Sequence, residues 1–158
     1  MRYGWREQII DIDLTREEIQ TRTLPRGMYI KTIGGIGLAA QLIFDYVPPE
    51  ADPLGSDNVL VVVAGPLGGT TWPGTGRVEL AARSPLTGLW GESSLGGYFG
   101  TQLKRAGYDA IALRGIAPEP VMLVITKERH VWNLLGSCGA RRLMQPSARC
   151  GRATQALK

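Results

Sequence analysis

The hydrophobic positions along the chain change period several times, and each change marks an element. From Glu7 to Leu14 they alternate, with Ile10, Ile12 and Leu14 on one face and Asp11 and Asp13 on the other, as in a half-buried strand. A polar turn at Thr15–Glu18 and a second run, Ile19–Leu24, predict an antiparallel hairpin. Arg26 to Thr32 leads into IGGIGLAAQLIFDYVPP, where Leu38, Leu42, Ile43, Tyr46 and Val47 share one helical face and Pro48–Pro49 stops the helix. Val59 to Ala64 is unbroken, the signature of a strand covered on both faces. Val78, Leu80 and Ala82 alternate with Glu79, Ala81 and Arg83, a second half-buried strand. Tyr98 to Ala106 reads as a short helix with Phe99, Leu103 and Ala106 inward and Lys104 and Arg105 outward, capped by Gly107. Ile111 and Leu113, then Val121–Ile125, are further strands. Strands dominate without βαβ alternation, so the predicted class is α+β, mainly antiparallel sheets with a few flanking helices.

Between Gly65 and Gly100 lie 10 of the 21 glycines. Outside the strand at 78–83 this stretch reads as loop, rich in bare backbone N–H groups that can wrap oxyanions. Arg77, with Ser84, Thr87, Ser93 and Ser94 nearby, makes it a candidate polyanion site. The bland reading of Arg77 is a surface salt bridge to Glu79 or Glu92. Trp72 and Trp90 read as core filling rather than cofactor lining. Gly34–Gly37 before a helix admits two readings, a phosphate loop at a helix N-terminus or glycines for close packing, and it lacks GxGxxG spacing.

Composition changes the picture little: 158 residues, 44% hydrophobic and 20% charged, suit a globular domain with a real core. No apolar run reaches the roughly 20 residues of a membrane span, and the first residues lack the apolar segment of a secretory signal, so a cytoplasmic location is expected. The net charge of +4 matters more for where it sits. Residues 1–125 carry −2 and residues 126–158 carry +6, so the basic balance belongs to the tail and argues for no nucleic-acid partner.

The ordered motifs GWREQIIDIDLT, GGIGLAAQLI, DPLGSDNVLVVVAGPLGGT, PGTGRVELAARSPLTG, LGGYFGTQLKRAGYDAIALRG and PEPVMLVI, over residues 4–125, resemble the N-terminal domain of aldehyde ferredoxin oxidoreductases. That resemblance implies a base for a tungsten (or molybdenum) bis-pterin cofactor, with aldehyde substrates and ferredoxin as the electron partner of the whole enzyme. A homodimer is compatible with it. Arg77 matches the family's arginine that reaches the cofactor, and Gly96, with Gly97 beside it, matches the glycine whose backbone contacts it. Ser94 falls where the tungsten aldehyde enzymes often have Asn, whose main-chain carbonyl helps hold a magnesium ion bridging the pterin phosphates. Ile36 stands where a basic residue is common, so one phosphate contact is missing. The 4Fe–4S cysteines of the family belong to later domains; Cys138 and Cys150 are spaced for neither a cluster nor a zinc site. No catalytic residue is assigned, and His130 reads as exposed.

Residues 1–125 are therefore expected to be the pterin-binding domain and 126–158 a tail foreign to the family. From about Val131 the periodicity disappears, and Gly136–Arg152 allow codons whose shifted frame resembles the family's continuation. The alternative is a native basic tail for an acidic partner. Two functional classes follow: a truncated oxidoreductase, inactive alone, or a non-catalytic pterin-binding scaffold of a multi-chain assembly.

Overall fold

The computed structural model describes residues 4–125 and the strand at 130–134. The predicted hairpin is present: β1 (Gln8–Asp13) pairs antiparallel with β2 (Glu18–Thr23), Ile12 opposite Ile19. Asp13 sets the turn by accepting hydrogen bonds from the backbone N–H groups of Thr15 and Arg16 at 3.1 and 3.0 Å. Both faces of β1 are covered, against the polar face expected. Asp11 is buried because Arg22 and Tyr46 donate to its Oδ2 and Arg114 lies 3.2 Å from its Oδ1.

Pro25 then begins a helix that hydrophobic periodicity did not reveal, α1 (Arg26–Thr32), followed by the expected α2 (Gly35–Tyr46). Of the two readings of Gly34–Gly37, the structure favours packing. A Cβ on Gly37 would sit 2.5 Å from the Thr32 carbonyl oxygen, and one on Gly34 would meet Pro66. Leu38, Ala39 and Leu42 of α2 and Tyr29 of α1 join Ile9, Val59, Val61, Val63, Ala81, Ala110 and Ala112 in one core cluster, with Ile43, Tyr46 and Val47 packed at its margin.

β3 (Val59–Ala64) is buried apart from Leu60, as its unbroken apolar run requires. β4 (Val78–Arg83) buries Val78 and Ala81, which lie on opposite faces, and leaves Leu80 and Ala82 half-buried. A strict alternation was expected; both faces are partly covered instead. Residues read as loop form β5 (Trp90–Leu95), an edge strand paired antiparallel with β4. Its exposure explains the miss, since an edge strand with no buried face carries no alternation for a sequence to show. α3 (Phe99–Ala106) ends on Gly107 in the left-handed region, φ 105°, as expected. Leu103 is buried and Arg105 exposed, as expected, but Phe99 is exposed and Lys104 buried, against the amphipathic assignment.

β6 (Ala110–Arg114) enters between β1 and β3, parallel to the first and antiparallel to the second. The six-stranded sheet runs β2-β1-β6-β3-β4-β5, with every neighbouring pair antiparallel except β1–β6. The α+β class is as predicted.

The chain divides into two compact units after Ile116. In the second, β7 (Val121–Ile125) pairs antiparallel with β8 (His130–Leu134), past the boundary drawn at 125. Residues 126–129 and 135–158, Cys138 and Cys150 among them, and the His130 side chain lie outside the described residues. Among those described, no helix is long and apolar enough to cross a membrane.

Candidate cofactor-binding site

The loop from Gly65 to Gly76 is tied down by its own hydroxyls before it reaches β4. Thr70 Oγ1 donates to the Leu67 carbonyl at 2.7 Å and Thr75 Oγ1 to the Trp72 carbonyl at 2.9 Å. Arg77 follows, one residue ahead of β4. The β4–β5 register places Ser94 directly opposite Glu79, two residues past Arg77 and therefore on the same face of the sheet. Arg77 Nε donates to Ser94 Oγ at 2.8 Å, and Ser94 Oγ donates to Glu79 Oε1 at 3.0 Å. The hydroxyl thus stands between the two charges, and the direct salt bridge of the bland reading does not form. Glu92 instead accepts from Trp90 Nε1 at 2.7 Å. Among the described residues nothing hydrogen-bonds the terminal guanidinium nitrogens of Arg77, and the residue is exposed.

Beyond β5 the backbone is bare. A Cβ added at Gly96 or Gly97 would meet nothing within 4 Å, and Gly97 sits at φ 93°. Closer in, the chain is tight: a Cβ on Gly76 would lie 2.9 Å from the Gly97 carbonyl oxygen, and one on Gly100 would lie 2.8 Å from the Gly76 carbonyl oxygen. The glycines therefore do two jobs. Gly76 and Gly100 let the start of β4 and the first turn of α3 touch backbone to backbone. Gly96 and Gly97 leave open space beside Arg77 and Ser94.

The sequence-derived residues Arg77, Ser94, Gly96 and Gly97 thus converge on one edge of the sheet. Ser84 and Thr87 are occupied within the β4–β5 turn: Ser84 Oγ accepts from the Thr87 N–H and Thr87 Oγ1 from the Leu89 N–H. Trp72 and Trp90 do not fill the core; Trp72 is 70% exposed and Trp90 39%. Tyr98, Leu67 and Leu95 are exposed along the same glycine-rich stretch. A fork of uncommitted N–H donors, a hydroxyl, bare backbone and uncovered aromatic faces suit a planar ring system bearing phosphate. The donor set fits such a group.

Arg83, at the far end of β4, is held differently. Its Nε donates to the Gly88 carbonyl at 2.8 Å and its Nη1 to the Pro49 carbonyl, while Asn58 bonds its main chain. It pins the β4–β5 turn to the connection after α2.

A buried ion pair escaped sequence reasoning. Lys104 Nζ contacts Asp109 Oδ1, and both residues are 1% exposed. Burial pulls the Lys104 ammonium below the ordinary lysine value, against the opposing pull of Asp109. The available signal was the spacing of Lys104 from Gly100, one helical turn, on the face that α3 presses against backbone.

The profile of the family described as aldehyde ferredoxin oxidoreductase, N-terminal domain, matches residues 9–134. The tungsten-containing aldehyde ferredoxin oxidoreductase of Pyrococcus furiosus is 38% identical over 137 residues, 82% of this chain and 23% of that protein. The enzyme of the same name from Thermococcus kodakarensis is 38% identical over 129 residues, 82% of this chain and 21% of its own length. The aliphatic sulfonate oxidoreductase, WOR-like subunit, of Pyrococcus furiosus is 35% identical over 126 residues, covering 78% of this chain and 20% of the subunit. Among solved structures, the active site complex BamBC of benzoyl coenzyme A reductase, in complex with 1,5-dienoyl-CoA, superposes with a TM-score of 0.83 at 35% identity, covering 85% of this chain and 21% of that one. The chain spans about a fifth to a quarter of the length of these relatives.

Proposed function

Because the chain belongs to the aldehyde ferredoxin oxidoreductase family, as its N-terminal domain, we propose that it forms one wall of a bis-pterin tungsten site through Arg77, Ser94, Gly96 and Gly97. The observation that carries this reading is the convergence of an Arg77 fork, held at Nε by Ser94, with backbone that no side chain covers.

In this reading Arg77 keeps its Nε on Ser94 and turns its two terminal nitrogens toward a phosphate or pterin acceptor. Ser94 orients the guanidinium and keeps Glu79 from competing for it, and its main-chain carbonyl would serve as a ligand for a magnesium ion that neutralises phosphate charge. Gly96 and Gly97, with open space beside them, would let backbone approach a pterin ring. The bound group supplies the oxygen-atom and electron chemistry; the chain supplies position and charge. Ferredoxin, aldehyde, the 4Fe–4S cluster, a homodimeric state and a cytoplasmic location belong to the same proposal at the level of a whole enzyme. The pterin-binding unit is assigned to residues 1–125. A scaffold role in a multi-chain assembly is the second reading, and the likeness to a structure described as an active site complex favours it.

Titrating the chain with phosphorylated pyranopterin and following amide resonances tests the site. Shifts are expected at Arg77, Ser94, Gly96 and Gly97. Shifts confined to the Asp13–Arg114 end of the sheet would place the anion elsewhere and sink the reading.

A further inference from the structure

A buried ion pair is weak evidence for stability, because desolvating both charges offsets most of their attraction. What the Lys104–Asp109 pair touches says more. Lys104 Nζ donates to the Gly4 carbonyl at 2.7 Å as well as to Asp109 Oδ1. Asp109 Oδ2 accepts from the backbone N–H groups of Arg6 and Glu7 at 2.8 and 2.7 Å, and Arg6 Nε returns to the Lys104 carbonyl at 3.0 Å. The aliphatic stem of Lys104 lies on the start of the glycine-rich loop: a Cβ on Gly68 would be 3.2 Å from its Cγ, and one on Gly69 3.2 Å from its Cβ. One pair therefore joins four segments, residues 4–7, the loop at 65–69, α3 and the start of β6.

α3 carries that position to the candidate site. Gly100 is one turn before Lys104 on the same face, and a Cβ there would lie 2.8 Å from the Gly76 carbonyl oxygen and 3.2 Å from that of Arg77. The directional donors of Lys104 fix where α3 stands against the loop. The first turn of α3 in turn fixes the backbone at Gly76, Arg77 and Gly97. We propose that Lys104 and Asp109 are positioning residues for the anion site, acting through α3 rather than by contact with the ligand. The proposal rests on the cofactor-wall reading above.

The double variant K104M/D109N tests it, since it removes both charges while Asn keeps an acceptor for the Arg6 and Glu7 amides. Two quantities are read on the 158-residue chain. Hydrogen exchange is followed at Gly68, Thr70 and Gln102, whose amides bond Gly65, Leu67 and Tyr98 carbonyls, and compared with the amides of β1, β3 and β6. Inorganic phosphate is titrated and read at the Arg77, Gly96 and Gly97 amides. Exchange at the three sites should rise about tenfold or more with the sheet unchanged, as local rather than global opening does. Phosphate affinity should fall about threefold or more, as expected when a charge-assisted fork loses its alignment. Uniform acceleration across the chain, or local loosening with unchanged phosphate affinity, would overturn the proposal. If K104M alone leaves Asp109 uncompensated and fails to fold, the double variant decides. A wild-type chain that shows no phosphate shifts at the three amides would count against the cofactor wall, and the exchange pattern would then judge the pair by itself.

Discussion

Arg77, just before β4, and Arg83, at its end, illustrate how little residue type alone says. Arg83 spends its guanidinium on the Gly88 and Pro49 carbonyls, whereas Arg77 commits only Nε, to Ser94. Replacing Arg77 with Ala should weaken binding of a phosphorylated pterin by about 1.5–3 kcal/mol, the range of hydrogen bonds to charged groups, with unchanged thermal unfolding. Lys keeps the charge but not the fork and should fall between wild type and Ala. Arg83→Ala should show the opposite pattern, a lowered melting temperature and intact pterin affinity. Equal loss of affinity in both variants would remove the distinction. Tyr46 titrates on a separate clock. Burial first, then Asp11, pushes its hydroxyl up to about 12 from the ordinary 10.0. A raised folded value means that the stability it contributes is complete below pH 10 and is lost as pH rises toward 12. Tyr46→Phe should therefore flatten the fall in urea-unfolding free energy between pH 10 and 12, and an unchanged slope would show that Tyr46 is not linked to folding. Tyr29 is pushed up further by burial and Asp109, so its own slope should remain within that window and extend above it in the Tyr46→Phe variant.

At the scale of elements, the glycines around α3 and β5 separate packing from binding. Gly100 is buried in the first turn of α3, with the Gly76 carbonyl oxygen where a Cβ would go. Gly100→Ala must move either the helix or the entry of β4, and it should lower stability by roughly 1–3 kcal/mol, the usual cost of overpacking. Gly96 lies in open space at a φ outside the left-handed region, so Gly96→Ala should leave unfolding unchanged and act only on ligand affinity. Denaturant unfolding of the two variants side by side checks this; a large stability loss at Gly96 would mean that its surroundings are closed. β5 fits the same picture. It is an exposed edge carrying Ser93 and Ser94, which leaves the Arg77–Ser94–Glu79 relay open to a ligand.

For the whole molecule, coverage decides what activity to expect. The chain matches relatives over nearly its full described length, yet it represents about a fifth to a quarter of theirs. On the proposed reading it offers one wall of a site, and the described residues include no group of three or more His, Cys, Asp or Glu placed to hold a metal. An aldehyde assay with a dye acceptor, run on the 158-residue chain supplied with cofactor, should show no turnover. Sustained dye reduction that depends on aldehyde would require an electron path within this chain and would overturn the fragment reading.

Much of this is legible in the sequence alone. The unbroken run Val59–Ala64 and the periodicity of α2 follow from local rules because each buries a face. The alternation at β1 places a strand although its polar side is covered too, and Gly107 caps α3 because it takes the left-handed conformation at low cost. Family motifs named the candidate residues Arg77, Ser94, Gly96 and Gly97 without geometry. Tertiary structure alone decided the rest. β5 buries no face and so leaves no period. α1 is only seven residues long, too short to show one. The insertion of β6 between β1 and β3 is a long-range pairing that no local window contains. Lys104 looked like a solvent-facing charge until Asp109, Gly4 and the loop at Gly68–Gly69 closed around it, because the energy of a charge depends on its surroundings rather than on its neighbours in sequence.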